Sequence, residues 1–87
     1  LAKIYTAIPA DFDTSTSAEV VIANILATPL IELSSLIASL VKPQGDLILS
    51  GILPQQAATV MQAYAQWIDF EPPLEDDGWI RLAGKKQ

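Results

Sequence analysis

Apolar residues recur along this chain in two rhythms, one of period two and one close to 3.6, and the switches between them mark out the elements. Residues 1–6, LAKIYT, alternate well enough for a short strand that Pro9 ends. Residues 9–18, PADFDTSTSA, are polar and turn-rich and read as a loop or linker. Residues 19–23, EVVIA, form a near-continuous β-branched run, the pattern of a strand buried on both faces of a parallel sheet. Asn24 to Thr28 then form an exit loop, with Thr28 as N-cap and Pro29 in the first helical position. A helix follows to about Val41, because Leu30, Leu33, Leu36, Ile37 and Leu40 share one side while Glu32, Ser35 and Ser39 take the other.

The breakers in KPQGD (42–46) stop that helix, and LILSG (47–51) reads as a second short apolar strand. Leu53-Pro54 leads into a second helix over about Gln55–Trp67, with Ala57, Val60, Met61, Tyr64 and Ile68 as its apolar stripe. IDFEPP and GWIRLAGKK read as two strands joined across LEDDG, where Asp77-Gly78 is a hairpin turn signal. Strands alternating with helices imply an α/β fold: a parallel sheet with right-handed crossovers, ending in an antiparallel hairpin. The expected organisation is one domain over residues 1–87, with a strand and linker over 1–18 and strand-helix-strand-helix-hairpin over 19–87.

Composition narrows the job. A chain of 87 residues with 51% hydrophobic content holds one small folded unit. Its net charge of −5, with only five basic residues, argues against a phosphate-backbone binder, so no direct nucleic-acid contact is expected. The one basic pair, Lys85-Lys86, reads as a frayed, solvated tail. With no cysteine and no histidine, disulfides, thiolate or imidazole metal sites and histidine-based triads are excluded. That composition is compatible with the cytoplasm, where the protein is expected. The apolar stretch 20–41 is interrupted by Asn24, Pro29, Glu32 and three serines and lacks a flanking basic cluster, so no membrane span is expected. The chain opens inside an apolar stretch without a methionine, which reads as a piece of something longer. Glu75, Asp76 and Asp77 lack the ligand spacing of a calcium loop and read as a solvated turn; Trp67 and Trp79 read as core or hairpin packing.

One run carries more than a fold. VIANILATPL at 21–30, GDLILSGIL at 45–53 and the closing GWIRLAGKK at 78–86, in that order and spacing, resemble the C-terminal part of ribosomal protein L11 methyltransferases. The resemblance runs from about Glu19 to Gln87. It implies the C-terminal half of a Rossmann-like class I methyltransferase sheet that uses S-adenosylmethionine. The parent activity it implies is methyl transfer to lysine and N-terminal amines of a ribosomal protein, with substrate choice made by a domain N-terminal to this piece. It also implies that two further strands separate the strand at 1–6 from that at 19–23. No Gly-x-Gly-x-Gly loop occurs in these 87 residues, and the ribose-holding acid is likewise missing, so the piece alone is expected to be inactive.

By the same resemblance, NILA (24–27) stands in the loop that faces the methyl donor and the incoming nucleophile. Asn24 is then the catalytic candidate, and Asn24, Ile25, Leu26 and Ala27 the cofactor-binding candidates. Without the resemblance, Asn24 reads first as a turn former where a strand stops, and Ser50-Gly51 as an ordinary strand exit. Two rival readings are a same-fold methyltransferase with a small-molecule or nucleic-acid substrate, and a non-catalytic α/β interaction module. Related base methyltransferases carry an Asn-Pro-Pro-aromatic loop; Ile25 and Leu26 replace the prolines, and no aromatic follows to stack on a base. If strands are missing beside 19–23, that open edge invites either self-association or cover by residues 1–6.

Overall fold

A computed structural model describes residues 2–5 and 18–87. The loop expected over 9–18 lies, but for Ala18, outside the described residues. Strands β1 (Ala2–Tyr5), β2 (Ala18–Asn24), β3 (Val41–Ile52), β4 (Ile68–Phe70), β5 (Leu74–Asp76) and β6 (Trp79–Lys86) form one sheet. Its order is β1-β2-β3-β6-β4, with β5 also on β6. β1, β2 and β3 are mutually parallel, and β6 runs antiparallel to β3, β4 and β5. Helices α1 (Ala27–Glu32) and α2 (Ser34–Ser39) make the β2-to-β3 crossover, and α3 (Ala57–Tyr64) the crossover to β4. β1 lies directly against β2, with Ile4 opposite Ile22, so among the described residues no further strand separates them, unlike the arrangement the resemblance implies, and that edge of β2 is covered from within the chain.

The helices cover one face. Val21, Ala23, Leu47, Leu49 and Leu82 point to it and join Leu30, Ile37, Leu40, Val60 and Tyr64 in a single buried cluster. Each fully buried aliphatic side chain contributes roughly 1.5–3 kcal/mol, so this cluster is the main support of so short a chain. Ile22, Ile48 and Ala83, aligned across three strands, occupy the other face and are only half-buried. β2 is therefore not buried on both faces as its composition implies. Among the described residues, helices pack on one side only.

The single helix expected to Val41 is two short helices that break at Leu33, whose backbone leaves the helical region (φ −105°, ψ 21°). Ser34-Ser35 follow the break directly, and serine pairs are a recognised cause of kinks. At the break, the Tyr64 hydroxyl donates to the Leu30 carbonyl at 2.7 Å, tying α3 to the end of α1. The first helix also starts earlier than expected: Leu26 is the N-cap, and Pro29 is the third helical residue. Its missing N–H costs nothing there, because the first-turn donors have no intrahelical partner.

The residues KPQG do not form a loop between helix and strand. β3 already begins at Val41, and between its pairings with Ala18 and Val20 it advances from Val41 to Asp46, bulging with Gln44 at φ 69°. The second helix is likewise shorter than its periodicity suggests. A 3₁₀ turn (Pro54–Gln56) precedes α3, its start fixed by the Leu53 N–H donating to Gln56 Oε1 at 3.0 Å. Ile68 completes the apolar stripe but belongs to β4.

At the C-terminus, Lys85 and Lys86 are strand residues and not a frayed tail. Lys85 Nζ donates to Asp46 Oδ1 at 2.9 Å across the β3–β6 pair. Lys86 Nζ donates to the carbonyls of Ala38 (2.7 Å) and Val41 (3.2 Å), placing a cation at the C-terminal end of α2, where the helix dipole favours it. The Gln87 N–H donates to the Trp67 carbonyl at 2.9 Å, so backbone pairing continues to the last residue.

Tyr64 yields a stability prediction. Its side chain is fully buried, and burial pushes the phenol pKa well above its ordinary value. The folded state thus holds the proton where the unfolded state begins to lose it. Stability should be unaffected below about pH 10 and fall as pH rises above it. Tyr64→Phe removes one buried hydrogen bond and leaves the Leu30 carbonyl short of a donor. Denaturant melts should show a loss of about 1–2 kcal/mol at neutral pH and a weaker decline above pH 10.

Candidate active site

β2 and β3 are parallel, so their carboxyl ends lie on one edge of the sheet, where ligand sites form in such folds. Asn24 is the last residue of β2 and sits opposite Ser50 of β3. Just past Ser50, β3 carries an irregularity against β6: its pairing steps from Leu49–Leu82 to Ile52–Ile80, one residue more on β3 than on β6. Gly51 sits in that irregularity at φ +78°, a conformation that disfavours any side chain. A Cβ at Gly51 would stand 2.7 Å from the Asn24 amide oxygen. The glycine therefore serves two needs, the left-handed backbone and the room for Asn24 to lie across it.

A cavity of about 1110 Å³ opens at this edge. Asn24, Ile25, Leu26 and Pro29 line it from the exit of β2 and the first turn of α1. Ser50 and Gly51 line it from β3, and the β5–β6 hairpin supplies the opposite side. Of the four NILA residues, Asn24, Ile25 and Leu26 meet in the cavity wall. Ala27 does not, because as the first residue of α1 it is buried in the core. Asn24 itself is exposed.

The hairpin wall is what the sequence pattern did not reveal as part of a site. Asp77 and Gly78 both have positive φ (54° and 82°), the requirement of a two-residue type I′ turn. The turn therefore falls one residue past β5, and Leu74–Asp76 are strand rather than loop. That strand is set on β6 opposite Trp79, Ile80 and Arg81. Trp79 is half-exposed on the cavity and does not serve as core packing, whereas Trp67 is packed against the core. Glu75, Asp76 and Asp77 are solvated as expected, yet they also line the cavity. A tryptophan directly after the Asp77-Gly78 turn signal was the one available clue in the sequence, and core or hairpin packing accounted for it.

Chemically, the corner offers hydrogen-bond acceptors with no ionised group among Asn24, Ser50 and Gly51. These are the Asn24 amide oxygen and the backbone carbonyls of the strand exits. Among the described residues, no helix is long and apolar enough to cross a membrane.

The family model for ribosomal protein L11 methyltransferase (PrmA) matches residues 2–87. The chain belongs to the ribosomal protein L11 methyltransferase family. Relatives bearing that description include one from Shewanella amazonensis, 49% identical over 80 residues, covering 92% of this chain and 27% of the relative. Another, from Actinobacillus succinogenes, is 54% identical over 77 residues, covering 88% and 25%. The chain thus spans about a quarter of the length of these family members. Among solved structures, the ribosomal protein L11 methylase from Lactobacillus delbrueckii subsp. bulgaricus superposes with a TM-score of 0.76 at 30% identity. The match covers 90% of this chain and 40% of that one. The N-methyltransferase NodS from Bradyrhizobium japonicum, in complex with S-adenosyl-L-homocysteine, superposes at 0.68 with 9% identity, over 87% of this chain and half of that one, and shows the fold alone. The sheet described above is accordingly a Rossmann-like class I methyltransferase sheet, with crossover helices and an antiparallel hairpin at its end.

Proposed function

We propose that this chain forms the amine-facing side of the active site in a protein that transfers methyl groups from S-adenosylmethionine to amines of a ribosomal protein. The targets are lysine side chains and an N-terminal amine, and the setting is the cytoplasm. The observation that carries the reading is Asn24, held at the carboxyl end of β2 with its amide oxygen over Gly51. Membership of the family supplies the reaction class.

S-adenosylmethionine, when bound, supplies an electrophilic methyl group on sulfur. What these residues contribute is orientation and charge. As methyl transfers, positive charge moves to the nitrogen, and acceptor oxygens aimed at the amine stabilise it and direct its lone pair. A neutral amide suits the task better than a carboxylate, which would hold the substrate amine protonated. Deprotonating a lysine amine at pH 7 costs roughly 4–5 kcal/mol, and an α-amine only about 1 kcal/mol. These 87 residues supply no histidine base, so their own contribution is compatible with a proton that leaves to solvent before transfer or an amine pKa lowered by desolvation.

The residues fit one side of the cofactor only. Asn24, Ile25 and Leu26 would stand against its reactive end, while these 87 residues contain no glycine-rich loop to support the remainder. Calorimetric titration with S-adenosylmethionine tests this division. The 87-residue chain should give little or no heat of binding, and a family-length protein containing it should bind saturably. Failure of the longer protein to bind would remove the methyltransferase reading.

A further inference from the structure

Tyr64 is fully buried at the end of α3, and it makes two contacts that lead toward the cavity. Its hydroxyl donates to the Leu30 carbonyl of α1 at 2.7 Å. Its ring meets that of Phe70 edge to face, with centroids 6.2 Å apart and planes at 74°. Leu30 follows Pro29, which lines the cavity, and belongs to a six-residue helix whose N-cap, Leu26, lines it too. Phe70 ends β4, and Glu71, Pro72 and Pro73 separate it from Leu74, where the hairpin wall begins. The Glu71 N–H donates to the Ala83 carbonyl of β6 at 2.8 Å, and the proline rings fix φ at the next two positions. The link from Phe70 to Leu74 is therefore stiff.

A helix of six residues does not hold its own place in water. Burial of Ala27 and Leu30 keeps α1 against the core, but apolar packing has no direction. The Tyr64 hydrogen bond supplies one and limits how far α1 slides or turns on that surface. We infer that Tyr64 is a positioning residue for methyl transfer, setting the α1 wall and the hairpin wall against each other from inside the core. The inference rests on the methyltransferase reading and adds a residue that acts without touching ligand. When α1 shifts, Leu26 and the strand exit that carries Asn24 shift with it. Misplacing a reacting group by about 1 Å can cost about a hundredfold in rate, so a loosened tether registers in turnover.

Three variants of a family-length protein containing this chain separate positioning from support. Tyr64→Phe keeps the ring on Phe70 and deletes the hydroxyl. Phe70→Leu keeps the hydroxyl bond and deletes the ring contact. Ile37→Val thins the core within α2 and serves as the merely destabilised control. Turnover should fall about tenfold in Tyr64→Phe and severalfold in Phe70→Leu, with KM for both substrates within about twofold, and should hold in Ile37→Val. In an Asn24→Ala background, Tyr64→Phe should change the rate by less than about twofold, because the group it places is gone. In the 87-residue chain, the amide resonances of Asn24, Ile25 and Leu26 should move in Tyr64→Phe and stay in Ile37→Val. Unchanged kcat in Tyr64→Phe, or the same tenfold loss in the Asn24→Ala background, overturns positioning and leaves Tyr64 a structural residue. Resonances that stay in place in Tyr64→Phe overturn the tether whatever the activity. An unaltered protein that transfers no methyl group removes the methyltransferase reading, and the resonances then decide the tether by themselves.

Discussion

Replacing Asn24 by alanine in a family-length protein should lower methyl transfer by about two to three orders of magnitude, the usual cost of deleting one preorganised polar group that faces developing charge. The fold should hardly change. Asn24 is exposed at a strand end, and its side chain is not part of the buried cluster. Melting of the variant should stay within about 0.5 kcal/mol of the parent, as surface substitutions do. The loss should appear in kcat more than in KM, because the amide acts on charge that appears during transfer. Near-normal turnover would remove Asn24 from the mechanism. Asn24→Asp separates two roles of the side chain. It retains the acceptor oxygens but adds a charge that favours the protonated amine, so its rate should be low at neutral pH and recover as pH rises.

Gly51→Ala should damage both stability and activity. The left-handed backbone at φ +78° strains any residue with a Cβ, at a cost of about 1–3 kcal/mol. The added methyl would also approach the Asn24 amide oxygen to 2.7 Å, so that side chain must move. Activity should fall nearly as far as in Asn24→Ala, and the double variant should be little worse than either single one, because both lose the same placed amide. Denaturant melts and single-turnover methylation measure the two effects separately. Independent, additive losses in rate would show that Gly51 does not position Asn24.

The framework of this fold is written in its periodicities because each strand or helix buries one face against a single core. The 3.6-residue rhythm placed α1 and α3, and the β-branched run placed β2. Local rhythm cannot report tertiary contacts, and the departures lie where such contacts decide. Tyr64 reaches Leu30 across the helix layer beside a serine pair, so one periodic stretch becomes two helices. Lys86 is recruited by α2, which turns an apparent tail into a strand paired on both sides within the sheet. At the site, Asn24 was legible through the motif around it. Its partner Gly51 looked like any strand exit, because the room it leaves for the Asn24 amide, where a Cβ would stand 2.7 Å from the oxygen, depends on β3 lying beside β2. The hairpin wall was hidden for the same reason: Leu74 and Trp79 are ordinary apolar residues until the topology brings them to the carboxyl ends of the parallel strands.

Presentation of an amine for methylation is the role proposed for the Asn24–Gly51 corner. It is tested most directly by transfer of labelled methyl groups from S-adenosylmethionine to a lysine-bearing ribosomal protein. The measurement compares a family-length protein with its Asn24→Ala and Asn24→Asp variants across pH. Label should appear on amine nitrogen, with transfer reduced about a hundredfold or more by alanine and the rate profile displaced to higher pH by aspartate. Label on amines at equal rates in all three proteins, with superimposable pH profiles, would contradict it.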